Sequence, residues 1–204
     1  MRMMGNETSM TRRAFVGGLA GLSVLAAMPG RALAAISASQ AESLIGKVVR
    51  DINSIINSGA PEATMIKRFE DVFAKYADVN FIALSALGPD GRSASASQKS
   101  AFVKAFRAYI ARRYGSRFRE FEGGRIDVVS TTQVKSRYEV LTKTTLKGHA
   151  PFDVVFIVAA KNGKFIDMQV EGISIVKSER KEIGAMLDRR KGDLNQLIAD
   201  LQKG

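Results

Sequence analysis

The sequence predicts an α+β fold, a twisted antiparallel sheet of about four strands packed against N- and C-terminal helices. Three observations carry this expectation. Apolar residues recur at helical intervals from Leu44 to Ile110, the period changes to two after Arg125, and helical spacing returns after Ser178. A chain of 204 residues with 46% hydrophobic content can bury a core of ordinary size, and no repeat or low-complexity tract marks a second domain. The expected division is residues 1–34 as an export signal and 35–204 as one α+β domain.

The leading segment reads as that signal. Thr11-Arg12-Arg13-Ala14-Phe15-Val16 places two arginines directly before an apolar stretch that runs through Leu19, Leu22, Val24 and Leu25. Pro29, Gly30 and the small-residue triplet Ala32-Leu33-Ala34 follow, the order of a cleaved signal of the twin-arginine type. An apolar run of about 15 residues is short for a membrane-spanning helix.

The helices come next. Ser39 and Glu42 have the spacing of a capping box, and Leu44, Ile45, Val48, Ile52, Ile55 and Ile56 share one face. Gly59 and Pro61 separate this helix from a second, striped by Ile66, Phe69, Val72, Phe73 and Tyr76. Asp78 can cap a short third helix that stops at Gly88-Pro89-Asp90-Gly91. Ser95 and Gln98 open a longer one, ending at Gly115, with Phe102, Phe106, Tyr109 and Ile110 on one side.

The strands follow. Ile126–Val129 is a short first strand, and strict alternation from Val134 to Lys143 predicts a second with one wet face. Phe152 to Ala159 is apolar on both faces, which predicts a central strand. Asn162-Gly163 is read as a two-residue hairpin into a strand over Phe165–Ile175. Ser178 begins a helix with Ile183, Met186 and Leu187, and Asp193 caps a last one with Leu194, Leu197, Ile198 and Leu201.

Most catalytic chemistry finds no support. The absence of cysteine excludes thiolate nucleophiles and cysteine-ligated zinc, and the one histidine, His149, lies in an expected turn. Asp167 with Glu171, and Glu179 with Glu182, are possible carboxylate pairs, but such spacings on a strand or helix turn are expected to be surface charge. No catalytic residue, metal or cofactor is assigned. Arg2, Arg12, Arg13, Arg31 and Glu7 fall in the signal, leaving 27 basic and 19 acidic residues on 35–204, a net of +8. That excess favours anionic partners, and with no aromatic stacking pattern among the basic clusters it points to lipid head groups rather than nucleic acid.

Three stretches carry a family resemblance. FEDVFAKYADVNFIALSALG (69–88), SQKSAFVKAFRAYIARRYGSRFREFEG (97–123) and the run from VKSRYEVLTKT (134–144) through PFDVVFIV (151–158) to VEGISIVKSERKEIGAMLDRRKGDLNQLIADL (170–201) resemble the MlaC family of periplasmic phospholipid-binding proteins. One departure is local: Leu87-Gly88-Pro89-Asp90-Gly91-Arg92 keeps the arginine but lacks the tryptophan that the family carries before it. The resemblance implies an NTF2-like cone whose apolar cavity buries acyl chains between sheet and helices. It also implies a periplasmic carrier moving phospholipid between an outer-membrane lipoprotein complex and an inner-membrane ABC transporter complex, the solute-binding component of a system maintaining outer-membrane lipid asymmetry.

Within that frame, periodicity nominates Phe102, Phe106, Tyr109 and Ile110 from the long helix, with Val140, Phe152, Val154, Phe156 and Val158 from the sheet, as acyl-chain contacts. Arg113 and Arg137 are nominated for the head group on charge. Two alternatives stay open at this point, an exported NTF2-like enzyme using a carboxylate in its pocket and a basic adaptor without lipid cargo.

Overall fold

A computed structural model describes residues 35–203; the segment read as an export signal lies outside the described residues. Six helices and five strands occur in the order α1 (Ala38–Ile56), α2 (Glu62–Tyr76), α3 (Val79–Leu87), α4 (Ala96–Gly115), β1 (Arg125–Val134), β2 (Arg137–Thr145), β3 (Phe152–Ala159), β4 (Phe165–Val170), β5 (Ile173–Ser174), α5 (Ile175–Asp188) and α6 (Leu194–Lys203), counted among the described residues. Short 3₁₀ segments cover Gly88–Arg92 and Ser116–Phe121. The strands form an antiparallel meander in the order β1-β2-β3-β4-β5, so the α+β expectation holds, with β3 central.

Helix starts follow side-chain chemistry. Ser95 caps α4 through the amide of Gln98, whose side chain returns to the Ser95 amide, and Asp78 caps α3 through Phe81. At α1 the capping box is Ser37 with Gln40, two residues earlier than the expected Ser39 and Glu42. Helix α5 begins at Ile175, three residues before the expected Ser178, because Ser174 accepts from the Lys177 amide while the Asp167 carboxylate accepts from the Val176 amide.

Three strand expectations change. The alternation at Val134–Lys143 spans a hairpin: Val134 ends β1, Lys135-Ser136 turns, and Arg137 opens β2. Lys135 takes φ 55°, which a sequence-level search for glycine turns does not flag. The first strand is correspondingly longer than Ile126–Val129. The β3–β4 connection has five residues, 160–164, rather than two; the Ala159 amide donates to the Lys164 carbonyl across it, and Gly163 turns with φ 63°. The strand expected over Phe165–Ile175 breaks at Glu171-Gly172, which is why β5 exists as a fifth strand.

Bulges between Val128 and Ser130 and between Ile157 and Val158 bend the sheet. Its β1 edge is covered by α1. Asn53 behaves as a neighbouring strand would, donating to the Ile126 carbonyl at 3.0 Å and accepting from the Ile126 amide at 3.1 Å. One turn on, Asn57 accepts from the Gly123 amide and donates to the Gly124 carbonyl. The concave face and the helix stripes share one core, tightest where Phe102, Val140 and Val158 have no exposed surface.

Candidate functional site: an apolar cavity between sheet and helices

The core is solid at one end of the sheet and hollow at the other. Along the concave face, Tyr138 pairs with Val158 in the filled part, and Val140 pairs with Phe156 where the filled part meets the hollow. Toward the opposite end the rows are Thr142 with Val154, and Ile126 with Thr144 and Phe152. There the helices stand away from the sheet and enclose about 420 Å³.

Each wall follows from helical periodicity. Val48, Ile52 and Ile56 of α1 are spaced four apart and face inward, as are Phe106, Ile110 and Tyr114 of α4. Phe69, Val72 and Phe73 come from α2, Met168 and Val170 from β4, and Val176 and Glu179 from α5. The aromatic rings run on without a break. Phe118 meets Phe69 edge-on at 4.9 Å between ring centres, Phe69 neighbours Phe73 at 6.4 Å, Phe73 touches Phe165 at 6.2 Å, and Phe165 meets Phe156 edge-on at 5.7 Å. On the floor, the Thr142 hydroxyl is spent internally, donating to the Val154 carbonyl at 2.9 Å. A hollow with such walls stays dry and suits hydrocarbon.

Arg117, Phe118 and Phe121 in the 3₁₀ segment after α4 lie at the wide end, beside the start of β1. Arg117 is 66% exposed and pairs with Glu120 at 3.3 Å, so a solvated cation marks that rim.

One polar cluster interrupts the apolar wall. Glu179 is 1% exposed, and its Oε1 accepts from Tyr114 at 2.6 Å and forms an ion pair with Arg113, whose Nε lies 3.0 Å away. Its Oε2 has no hydrogen-bond partner, and neither has the buried Tyr109 hydroxyl. Burial raises the Tyr109 and Tyr114 pKa values above the usual tyrosine range, and the negative charge of Glu179 pushes both further the same way. Among the described residues no His, Asp and Glu grouping suited to a metal ion occurs, and no helix is long and apolar enough to cross a membrane.

The nominated residues divide by position. Phe106, Ile110, Phe152, Val154 and Phe156 line the cavity. Phe102, Val140 and Val158 pack in the filled end. Tyr109 leans against the Arg113 guanidinium, 5.8 Å from its ring centre. Arg113 neutralises Glu179, whereas Arg137 pairs with Glu139 at 3.0 Å away from the cavity, beside Ile157 and Lys181. Glu179 itself was expected on the surface. Its spacing from Val176, Ile183 and Leu187, at three, four and eight residues, puts it on the buried stripe of α5, a signal present in the sequence. The α1 and α2 lining residues lay on recognised stripes and Met168 fell within the strand expected over Phe165–Ile175, but periodicity cannot tell a cavity wall from a filled core.

The comparisons with known proteins agree with this architecture. A family-wide sequence profile described as MlaC protein matches residues 46–203, most of the chain. The chain belongs to the MlaC family. A solved MlaC-type fold, the phospholipid-binding protein from Ralstonia solanacearum determined in complex with a phospholipid, superposes with a TM-score of 0.66 at 15% identity, covering 79% of this chain and 98% of that one. None of the curated protein sequences matches the chain. MlaC membership and this superposition place the sheet-and-helix cone among known structures, and the cavity sits inside it.

Proposed function

We propose that this MlaC-family protein is a periplasmic phospholipid carrier, and the observation that carries the reading is the dry, aromatic-lined hollow of about 420 Å³. Each methylene moved from water into such a hollow is stabilised by about 0.8 kcal/mol, so an acyl chain that could not cross water at a useful rate can cross inside the protein. The likeness to a phospholipid-binding fold supports the same reading.

In the fuller account, residues 1–34 direct export by the twin-arginine route and residues 35–204 form the single lipid-binding domain. The carrier is the solute-binding component between an outer-membrane lipoprotein complex and an inner-membrane ABC transporter complex. Family membership and the net positive charge support that placement. Phe106, Ile110, Phe152, Val154 and Phe156 contact the acyl chain, and Arg117 at the rim meets the phosphate.

The enzyme alternative needs a carboxylate in the cavity with freedom to exchange a proton. Asp167 and Glu179 do lie on its wall, but Asp167 accepts from the Met168 and Val176 amides and from Ser174, and Glu179 is held by Arg113 and Tyr114. Such fixed acceptors favour binding over proton transfer. A cargo-free adaptor would have no use for a hollow. The test is transfer of fluorescent phospholipid from donor to acceptor vesicles: the carrier speeds it in proportion to protein concentration, and an unchanged rate would refute the proposal.

A further inference from the structure

A second hollow, of about 600 Å³, lies outside the cavity as an open groove bounded by α3, the reverse face of β3 and β4, and the start of α5. Its floor is apolar. Ile157 alternates with Phe156 and Val158, so it points away from the main core, yet it is only 4% exposed, and Ile166 lies beside it in the groove. Phe81 on α3 and Ile173 on β5 rise from the edges, 48% and 65% exposed, two of the three large apolar side chains left open to water among the described residues.

The charge around this floor has one sign. Lys177 and Lys181 stand one turn apart on α5, and Arg137 reaches in from β2. The one acid in the lining, Asp167, is spent on the Ser174 hydroxyl and on the amides of Met168 and Val176. Arg137 is matched by Glu139, but neither lysine has a carboxylate within ion-pair distance among the described residues. A flat bilayer meets the edges of such a groove but not its recessed floor, and hydrocarbon alone gains nothing from the two cations. A protein segment satisfies both, an apolar side chain filling the groove while carboxylates beside it meet the lysines.

Position gives the groove a use. Asp167 and Val176 line both hollows, so groove and cavity sit back to back across the junction of β4 with α5. Arg117, Phe118 and Phe121, which edge the wide end of the cavity, take no part in the groove. A partner held here leaves that wide end uncovered.

We propose that the groove is the docking site for an acidic protein segment with a large apolar residue at its centre, seated on Ile157 and Ile166 and paired with Lys177 and Lys181. Docking here uses none of the acyl-chain contacts, so it succeeds or fails separately from carriage.

The test titrates the full chain, followed by its amide NMR shifts, with three synthetic octapeptides: Leu-Phe flanked by three glutamates on each side, the same peptide with Ser-Ser at the centre, and the same peptide with lysines for the glutamates. The acidic Leu-Phe peptide shifts the amides of Ile157, Ile166, Ser174 and Lys177, and binds about tenfold better than either counterpart. Lys177→Glu combined with Lys181→Glu weakens it about tenfold, and Ile173→Ser weakens it with both lysines in place. The double variant still moves phospholipid between phosphatidylcholine vesicles at the wild-type rate, which shows its fold intact; slower transfer would place the lysines in carriage and overturn the separate docking role. No binding of the acidic Leu-Phe peptide, shifts confined to another face, an affinity that the lysine reversals leave unchanged, or binding of phosphatidylglycerol vesicles through the same residues in its place overturns the docking site and leaves the carrier reading intact. Failure of the wild-type protein to move phospholipid removes the carrier reading and leaves the groove standing.

Discussion

Tyr114 donates to Glu179 Oε1 across 2.6 Å, and this bond ties the last turn of α4 to the second turn of α5 at the wide end of the cavity. Arg113 completes the clamp from the adjacent position. Because Glu179 is buried, the clamp balances a charge that would otherwise stand alone against hydrocarbon.

Removing the cation is therefore expected to cost far more than removing a surface partner. Arg113→Ala should destabilise by roughly 2–4 kcal/mol, toward the lower end because Arg113 itself is partly solvated. Arg137→Ala, which breaks the solvated pair with Glu139, should cost less than about 1 kcal/mol. Urea unfolding of both variants decides it, and equal effects would show that Glu179 does not depend on its partner.

The two tyrosines give a pH signature. Their folded-state pKa values are raised above the ordinary value of 10.0, so the native state holds these protons more tightly than the unfolded chain. Their contribution is complete below pH 10 and declines as the pH climbs beyond it, since the unfolded state ionises first. Stability measured from pH 9 to 11 should fall, and should fall less steeply in Tyr114→Phe. A variant with the wild-type slope would remove Tyr114 as a source.

Filling the hollow should abolish cargo without unfolding the protein. Val154 lies on the cavity floor, and Val154→Phe is expected to change stability by less than about 2 kcal/mol because there is space to occupy. Phe102→Ala, by contrast, opens a void in the sealed end and should cost about 3–5 kcal/mol. Circular dichroism melts paired with vesicle uptake separate the two effects: the first variant folds and loses uptake, the second loses stability.

Asn53 is expected to matter beyond its polarity. Asn53→Ala deletes both bonds to Ile126 and uncovers the β1 edge, at a cost of about 1–3 kcal/mol. Hydrogen exchange should quicken first at the start of β1, and uniform exchange along the sheet would argue against an edge-specific role.

The fold was largely legible because each layer obeys a single period. The stripe Phe102, Phe106 and Ile110 and the two-faced apolar run of β3 identified a long helix over a central strand, and both are found. The Val134–Lys143 hairpin was hidden, since Lys135 and Ser136 continue the alternation while turning the chain. The site was legible only in part. Phe106 and Phe102 carry the same periodic signal, yet one borders space and the other does not, because a void is set by how far the curved sheet stands from the helices. Glu179 was readable from its place on the α5 stripe, but its pairing with Arg113 and Tyr114 needs the packing of α4 against that helix.

Native mass spectrometry of the freshly purified protein decides whether the hollow carries lipid. A protein mass carrying one phospholipid is expected, and the bound mass is lost when Val154→Phe fills the hollow. A mass equal to the bare polypeptide, from protein that also gains no lipid when incubated with vesicles, would contradict it.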